Sequence, residues 1–126
     1  MSLSSLLLVG GGGFLGAIAR YALASLVGGR FGTRWPWATL VVNLTGCLAI
    51  GLFFAVEEER ALHDHWRHLI AIGFIGAYTA FSTYEYETLR LAEEGAYWPA
   101  LAYLVASTVL GLVAVGIGIW VGRRVG

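Results

Sequence analysis

Four long stretches without a single charged side chain constrain this chain more than any other feature. Met1–Ala19 carries no charge, Trp37–Val56 none over 20 residues, Leu69–Tyr84 none over 16 and Ala96–Val121 none over 26. A helix needs about 20 predominantly apolar residues to cross roughly 30 Å of hydrocarbon. Inside a bilayer no water is present to satisfy backbone amides and carbonyls, so a single spanning segment must satisfy them itself, as a helix. The charged fraction is 13% and the hydrophobic fraction 58%, whereas a soluble domain carries about 25% charged residues. We therefore read an all-α integral membrane protein with four transmembrane helices, near residues 3–27, 37–56, 67–90 and 96–121, in one domain covering 1–126. The first stretch is read as a span and not as a cleaved leader, because no basic residue precedes it and the first cation is Arg20.

Charge excludes several classes of function. Formal net charge is zero and all eight cations are arginines, so no basic footprint for nucleic acid exists. The single cysteine, Cys47, excludes an internal disulfide and a cysteine-rich metal site. No catalytic or ATP-binding motif is present, and the chain is not read as an enzyme. Orientation normally follows the Lys/Arg bias of the loops. Here Arg60, Arg67, Arg123 and Arg124 fall on one side, and Arg20, Arg30, Arg34 and Arg90 on the other. The balance fits equally a weakly biased chain and one that inserts in both orientations, whose copies then meet as an antiparallel pair. Gly12 with Gly16 and Gly118 with Gly122 are spaced for close helix contact. With 18 glycines in all, tight packing and self-association follow, most simply as a two-fold dimer.

Polar groups inside spans are costly and mark candidate functional sites. Thr39, Asn43 and Cys47 share one face of the second helix, where Asn43 serves either as interhelical glue or as a pore amide. The segment Gly73-Phe-Ile-Gly76-Ala-Tyr-Thr79-Ala-Phe81-Ser82-Thr83-Tyr84 brings glycines, hydroxyls and aromatics into the middle of the third span. Glycine, serine and threonine are poor helix formers, so a break in the helix is expected there. Broken membrane helices build ion sites, with carbonyls facing cations and amide ends facing anions. Tyr103 and Ser107 stack four residues apart on the fourth helix. Of the two acids late in the third, Glu85 is expected at the interface and Glu87 turned inward. Arg20 either snorkels to the headgroups or lines a vestibule that attracts anions. The chain has no lysine, and none of the four uncharged runs contains a histidine. What remains is neutral amide and hydroxyl donors with ring edges, which are positive and suit a small hard anion held weakly and repeatedly. Those physical arguments lead to a polar path for a small ion and stop short of naming it.

Three segments carry a resemblance. Gly12-Gly13-Phe-Leu-Gly16-Ala17-Ile-Ala-Arg20-Tyr21, Thr39-Leu-Val-Val-Asn43-Leu-Thr-Gly46 and the Gly73–Tyr84 segment, in that order, resemble the signatures of the Fluc (CrcB) fluoride channel family, and length and four-span layout match across nearly the whole chain. The resemblance implies an antiparallel, dual-topology homodimer in the cell (inner) membrane, two fluoride pores and a structural sodium ion (Na+) at the dimer centre. It implies Asn43 as the pore amide and Phe81 and Tyr84 as the two rings flanking the anion. Thr39, Ser82 and Thr83 would supply hydroxyls, Tyr103 and Ser107 the polar track, and Glu87 an acidic group near the pore. Arg20 matches the signature arginine at the vestibule. Main-chain carbonyls of Gly76 and Thr79 would hold the sodium.

Two positions depart from the pattern: tyrosine replaces the second pore phenylalanine at 84, and alanine replaces a threonine at 80. Losing the hydroxyl at Ala80 leaves its backbone carbonyl in place. Two other classes remain to be separated by experiment. A small dual-topology, proton-coupled exporter of cationic drugs also uses four short helices, but it needs a buried carboxylate that Met1–Ala19 lacks. A non-transporting assembly subunit would leave the third-span cluster as packing.

Overall fold

The computed structural model describes residues 1–126 and is all-helical. Helix α1 spans Leu3–Phe31, α2 Trp37–Arg60 and a short α3 Asp64–Trp66. A π-helical stretch, Arg67–Ile75, leads into α4, Gly76–Tyr78; α5 covers Phe81–Glu93 and α6 Tyr97–Val125. Local chemistry sets the ends. The Ser2 hydroxyl accepts from the Ser5 amide at 3.2 Å and caps α1. Gly32, at φ 81°, closes α1 in a conformation that glycine adopts without a Cβ penalty, and Gly95 at φ 83° turns α5 into α6. Pro99 sits in the first turn of α6, where its missing amide costs nothing.

Three of the helices, α1, α2 and α6, are long and apolar enough to cross a membrane. They run to Phe31, Arg60 and Val125, each four residues beyond the end of the predicted span. Loss of apolarity marks where hydrocarbon ends, whereas the backbone ladder continues into the charged interface. The fourth hydrophobic element is the composite from α3 to α5, and it is interrupted. Thr79 (ψ 156°) and Ala80 (φ −134°, ψ 74°) leave helical conformation between α4 and α5. Before that interruption the π-helical stretch uses wider turns, such as the Gly76 amide reaching the Ala71 carbonyl.

Both predicted glycine pairs work inside the chain. A Cβ on Gly12 would lie 2.0 Å from the Leu69 carbonyl oxygen, and one on Gly16 would lie 2.1 Å from that of Phe74. Backbone therefore meets backbone where α1 crosses the π-helical stretch. A Cβ on Gly118 would come within 2.2 Å of the Leu48 carbonyl oxygen, and one on Gly51 within 2.3 Å of that of Val115. The same close approach seats α6 on α2, the most extensive pairing in the fold.

Only 19 of 126 residues are buried, and large apolar side chains such as Phe14, Leu112 and Trp120 face outward. An exterior of this kind is stable against lipid tails or another apolar surface, and not in water. Small buried clusters remain between helices: Tyr84, Leu91, Ala100 and Tyr103 join α5 to α6, and Phe53, Ala71 and Ile75 join α2 to the π-helical stretch.

Candidate functional site

The interruption at Thr79–Ala80 organises the polar chemistry of the chain. The Ala80 amide, which an unbroken helix would donate to the Gly76 carbonyl, instead donates to Asn43 Oδ1 at 2.8 Å. Asn43 Nδ2 donates back to the Ala80 carbonyl at 3.4 Å. The strong bond from a backbone amide identifies the Asn43 oxygen and so fixes which way the side chain faces. One hydrogen of the Asn43 amide group remains without a partner. Both ends of the Asn43 side chain therefore hold Ala80, and the amide nitrogen keeps one further hydrogen to donate.

The segment ahead of the break is fastened from two other helices. Arg20 Nε, on α1, donates to the Ala77 carbonyl at 3.2 Å. The Tyr78 and Thr45 hydroxyls share a hydrogen bond of 2.7 Å, tying α4 to α2. Gly46 leaves room for Thr79: a Cβ there would lie 2.3 Å from Thr79 Cγ2. With the Ala77 carbonyl taken by Arg20 and that of Ala80 by Asn43 and the Tyr84 amide, the carbonyls of Gly76 and Thr79 accept no hydrogen bond. Bare carbonyl oxygens are the donors a hard cation takes, so these two residues fit an oxygen-ligated sodium. No cluster of His, Cys, Asp or Glu offers an alternative metal site.

An open groove of about 560 Å³ runs beside the break, lined among others by Asn43, Gly76, Thr79, Phe81, Tyr84 and Ser107. The Ser107 hydroxyl is buried yet has no hydrogen-bond partner, and buried polar atoms are rarely left so. Phe81 is 71% exposed; its ring lies 5.9 Å from that of Tyr84. Tyr84 is buried, packs edge-on against Tyr103 at 5.1 Å and donates its hydroxyl to the Leu104 carbonyl at 3.0 Å.

A second polar group lies next to the groove. Glu87 accepts from Thr39 Oγ1 at 3.0 Å through one oxygen and from the Tyr103 hydroxyl at 2.9 Å through the other. Three helices, α2, α5 and α6, meet at this carboxylate, and the inward turn expected of Glu87 is realised. Glu85 is exposed. Thr39 and Tyr103 direct their single hydroxyl hydrogens at Glu87, so neither hydroxyl is free to meet an ion as a donor.

Of the residues singled out from sequence, Asn43, Gly76, Thr79, Phe81, Tyr84 and Ser107 share the groove, and Thr39, Glu87 and Tyr103 form the adjoining triad. Ser82 and Thr83 are exposed and do not line the groove; they fall off the helical face that carries Phe81 and Tyr84. Arg20 is engaged at the break through Ala77. Thr45, Tyr78 and the Leu104 carbonyl were not anticipated. A main-chain carbonyl has no sequence signal, and a tyrosine bonded to a threonine 33 positions earlier is visible only once α2 and α4 are in place.

Comparison with known proteins bears on this arrangement. Residues 7–119 match the family described as CrcB-like protein, Camphor Resistance (CrcB). The chain belongs to the CrcB family. Among curated CrcB relatives, "Fluoride-specific ion channel FluC" of Acidobacterium capsulatum is 48% identical over 115 residues, covering 90% of this chain and 92% of that protein. The protein of the same name from Solibacter usitatus is 43% identical over 119 residues, covering 94% and 98%. That of Chloroflexus aurantiacus is 39% identical over 125 residues, covering 98% and 99%. Like its CrcB relatives, the chain is a multi-pass membrane protein.

Proposed function

We propose that this chain is a fluoride-selective ion channel, not an enzyme, that lets fluoride leave the cell passively through the inner membrane. The observation that carries the proposal is the groove beside the Asn43–Ala80 junction. It gathers the Asn43 amide, the unpartnered Ser107 hydroxyl and the rings of Phe81 and Tyr84, with no lysine, arginine or histidine among its lining residues. Neutral donors and positive ring edges replace part of the water around a small anion without trapping it, which favours passage. Relatives named as fluoride-specific channels support the choice of ion.

Fluoride enters acidified cells as neutral HF, dissociates and then leaves down its own gradient. Glu87, held by Thr39 and Tyr103, fixes the acidic wall of the path. The groove is open on one side, and a second copy in the opposite orientation closes it; the equal arginine count of the two sides supports such insertion. The dimer then carries two pores, and the break in the third element lies at mid-membrane depth. Gly76 and Thr79 of each copy would hold a sodium ion between the copies through their main-chain carbonyls, and its charge would satisfy carbonyl oxygens that accept no hydrogen bond.

Fluoride efflux from liposomes holding the purified chain tests this, with chloride efflux as control. Asn43→Asp keeps an oxygen for the Ala80 amide but turns a second oxygen toward the Ala80 carbonyl and the anion. Fluoride efflux should fall at least tenfold in that variant. Undiminished efflux would remove Asn43 from the path, and a fluoride-tight wild-type chain would end the channel reading.

A further inference from the structure

Tyr84 occupies the second of the two ring positions on the groove, and its hydroxyl has a fixed partner. We propose that the bond from the Tyr84 hydroxyl to the Leu104 main-chain carbonyl positions the ring, presenting the ring edge and not the hydroxyl to the ion, and so makes Tyr84 a determinant of anion selectivity in this chain. The proposal rests on the groove being an anion path.

A phenol has one hydrogen to donate, and here it goes to Leu104 at 3.0 Å. The ring is then held at three points: by that bond on α6, by Tyr103 at 5.1 Å and 71°, and by Phe81 at 5.9 Å and 59°. Tyr84 is 8% exposed and Phe81 is 71% exposed, so of the two rings Tyr84 is the one that this chain itself anchors. A phenylalanine at 84 would lose the anchor on α6 and keep only ring contacts, which allow it to tilt. Discrimination between a small and a larger anion by ring edges depends on a gap that does not widen, and the tether limits that widening. Turning the hydroxyl toward the ion instead would withdraw a donor from the Leu104 carbonyl; Thr108 Oγ1, which donates to the same carbonyl at 3.0 Å, cannot replace the link between helices because it lies on α6 itself.

The test compares fluoride and chloride efflux from liposomes holding the full wild-type chain, Tyr84→Phe, and a chain with 4-aminophenylalanine at position 84, whose N–H group can still donate to Leu104. Losing one hydrogen bond of ordinary strength corresponds to a factor of about five. Tyr84→Phe should therefore raise chloride efflux and lower the fluoride-to-chloride ratio about fivefold. The 4-aminophenylalanine chain should return the ratio toward the wild-type value. A fivefold loss of fluoride efflux with the ratio intact in Tyr84→Phe would overturn the proposal, because the hydroxyl would then be an ion ligand. Rates and ratio equal to wild type would also overturn it. Should Tyr84→Phe not yield monodisperse protein, the 4-aminophenylalanine chain decides: a preserved ratio upholds the tether and a fivefold shift refutes it. Wild-type liposomes that release no fluoride would refute the channel reading itself, an outcome distinct from every result in the variants.

Discussion

Replacing Gly16 by alanine should separate α1 from the π-helical stretch and loosen the break some distance away. The new Cβ would meet the Phe74 carbonyl oxygen at 2.1 Å, its carbon at 2.9 Å and its Cα at 3.0 Å, whereas ordinary contact begins at 3.4 Å. All three atoms are backbone, so no side chain can swing aside and the helices must part by about an ångström. Overpacking of this kind costs roughly 1–3 kcal/mol. Arg20, one turn further along α1, holds the Ala77 carbonyl at 3.2 Å, already at the long end of hydrogen-bond range. The shift breaks that bond, which costs about 1.5–3 kcal/mol more for a charged donor. Against this stands the helix-propensity gain of alanine over glycine, about 1 kcal/mol. The net loss is therefore roughly 1.5–5 kcal/mol, with impaired fluoride efflux in the fraction that stays folded. Gly11→Ala is the matched control, because a Cβ there meets nothing within 4 Å in the same helix. Denaturant titration in detergent, followed by tryptophan fluorescence, would measure both. A Gly16→Ala chain as stable as Gly11→Ala would refute backbone-to-backbone packing of α1 on the third element.

Two further outcomes join those already given for Asn43 and Tyr84. Gly118→Ala would put a Cβ 2.2 Å from the Leu48 carbonyl oxygen and should cost roughly 1–3 kcal/mol at the α2–α6 contact; thermal unfolding checks it, and an unchanged midpoint contradicts that packing. Glu87→Gln keeps one acceptor oxygen but opposes an amide donor to either the Thr39 or the Tyr103 hydroxyl. One hydroxyl is released toward the path, and fluoride efflux should change by about tenfold, as expected for losing a hydrogen bond to a charged group, while the protein stays folded by size exclusion.

The long uncharged runs settled the fold class without any tertiary information, because a bilayer leaves the backbone no choice but to satisfy itself within each helix. The glycine spacing likewise announced close contacts, and polar residues at hydrocarbon depth announced a site. Periodicity also placed Tyr103 and Ser107 on one face. None of these local signals says which partner a group will find. Gly12 and Gly16 read equally well as a dimer seam and as a seat for the third element, and only the packed chain shows them against Leu69 and Phe74. Arg20 reads from sequence either as a snorkelling side chain or as a vestibule residue, and its hydrogen bond to the carbonyl of Ala77, 57 residues on, is visible only in the packed chain. Ser82 and Thr83 carry suitable hydroxyls but lie off the face of α5 on which Phe81 and Tyr84 line the groove. The hydroxyl of Tyr84 was legible as an extra group, but its use as a tether depended on where α6 brings the Leu104 carbonyl. Sequence determines what each side chain can donate or accept and how much apolar surface must be hidden from water. Which donor meets which acceptor is decided by the close approach of helices, because hydrogen bonds act over about 3 Å while the residues that make them lie tens of positions apart along the chain.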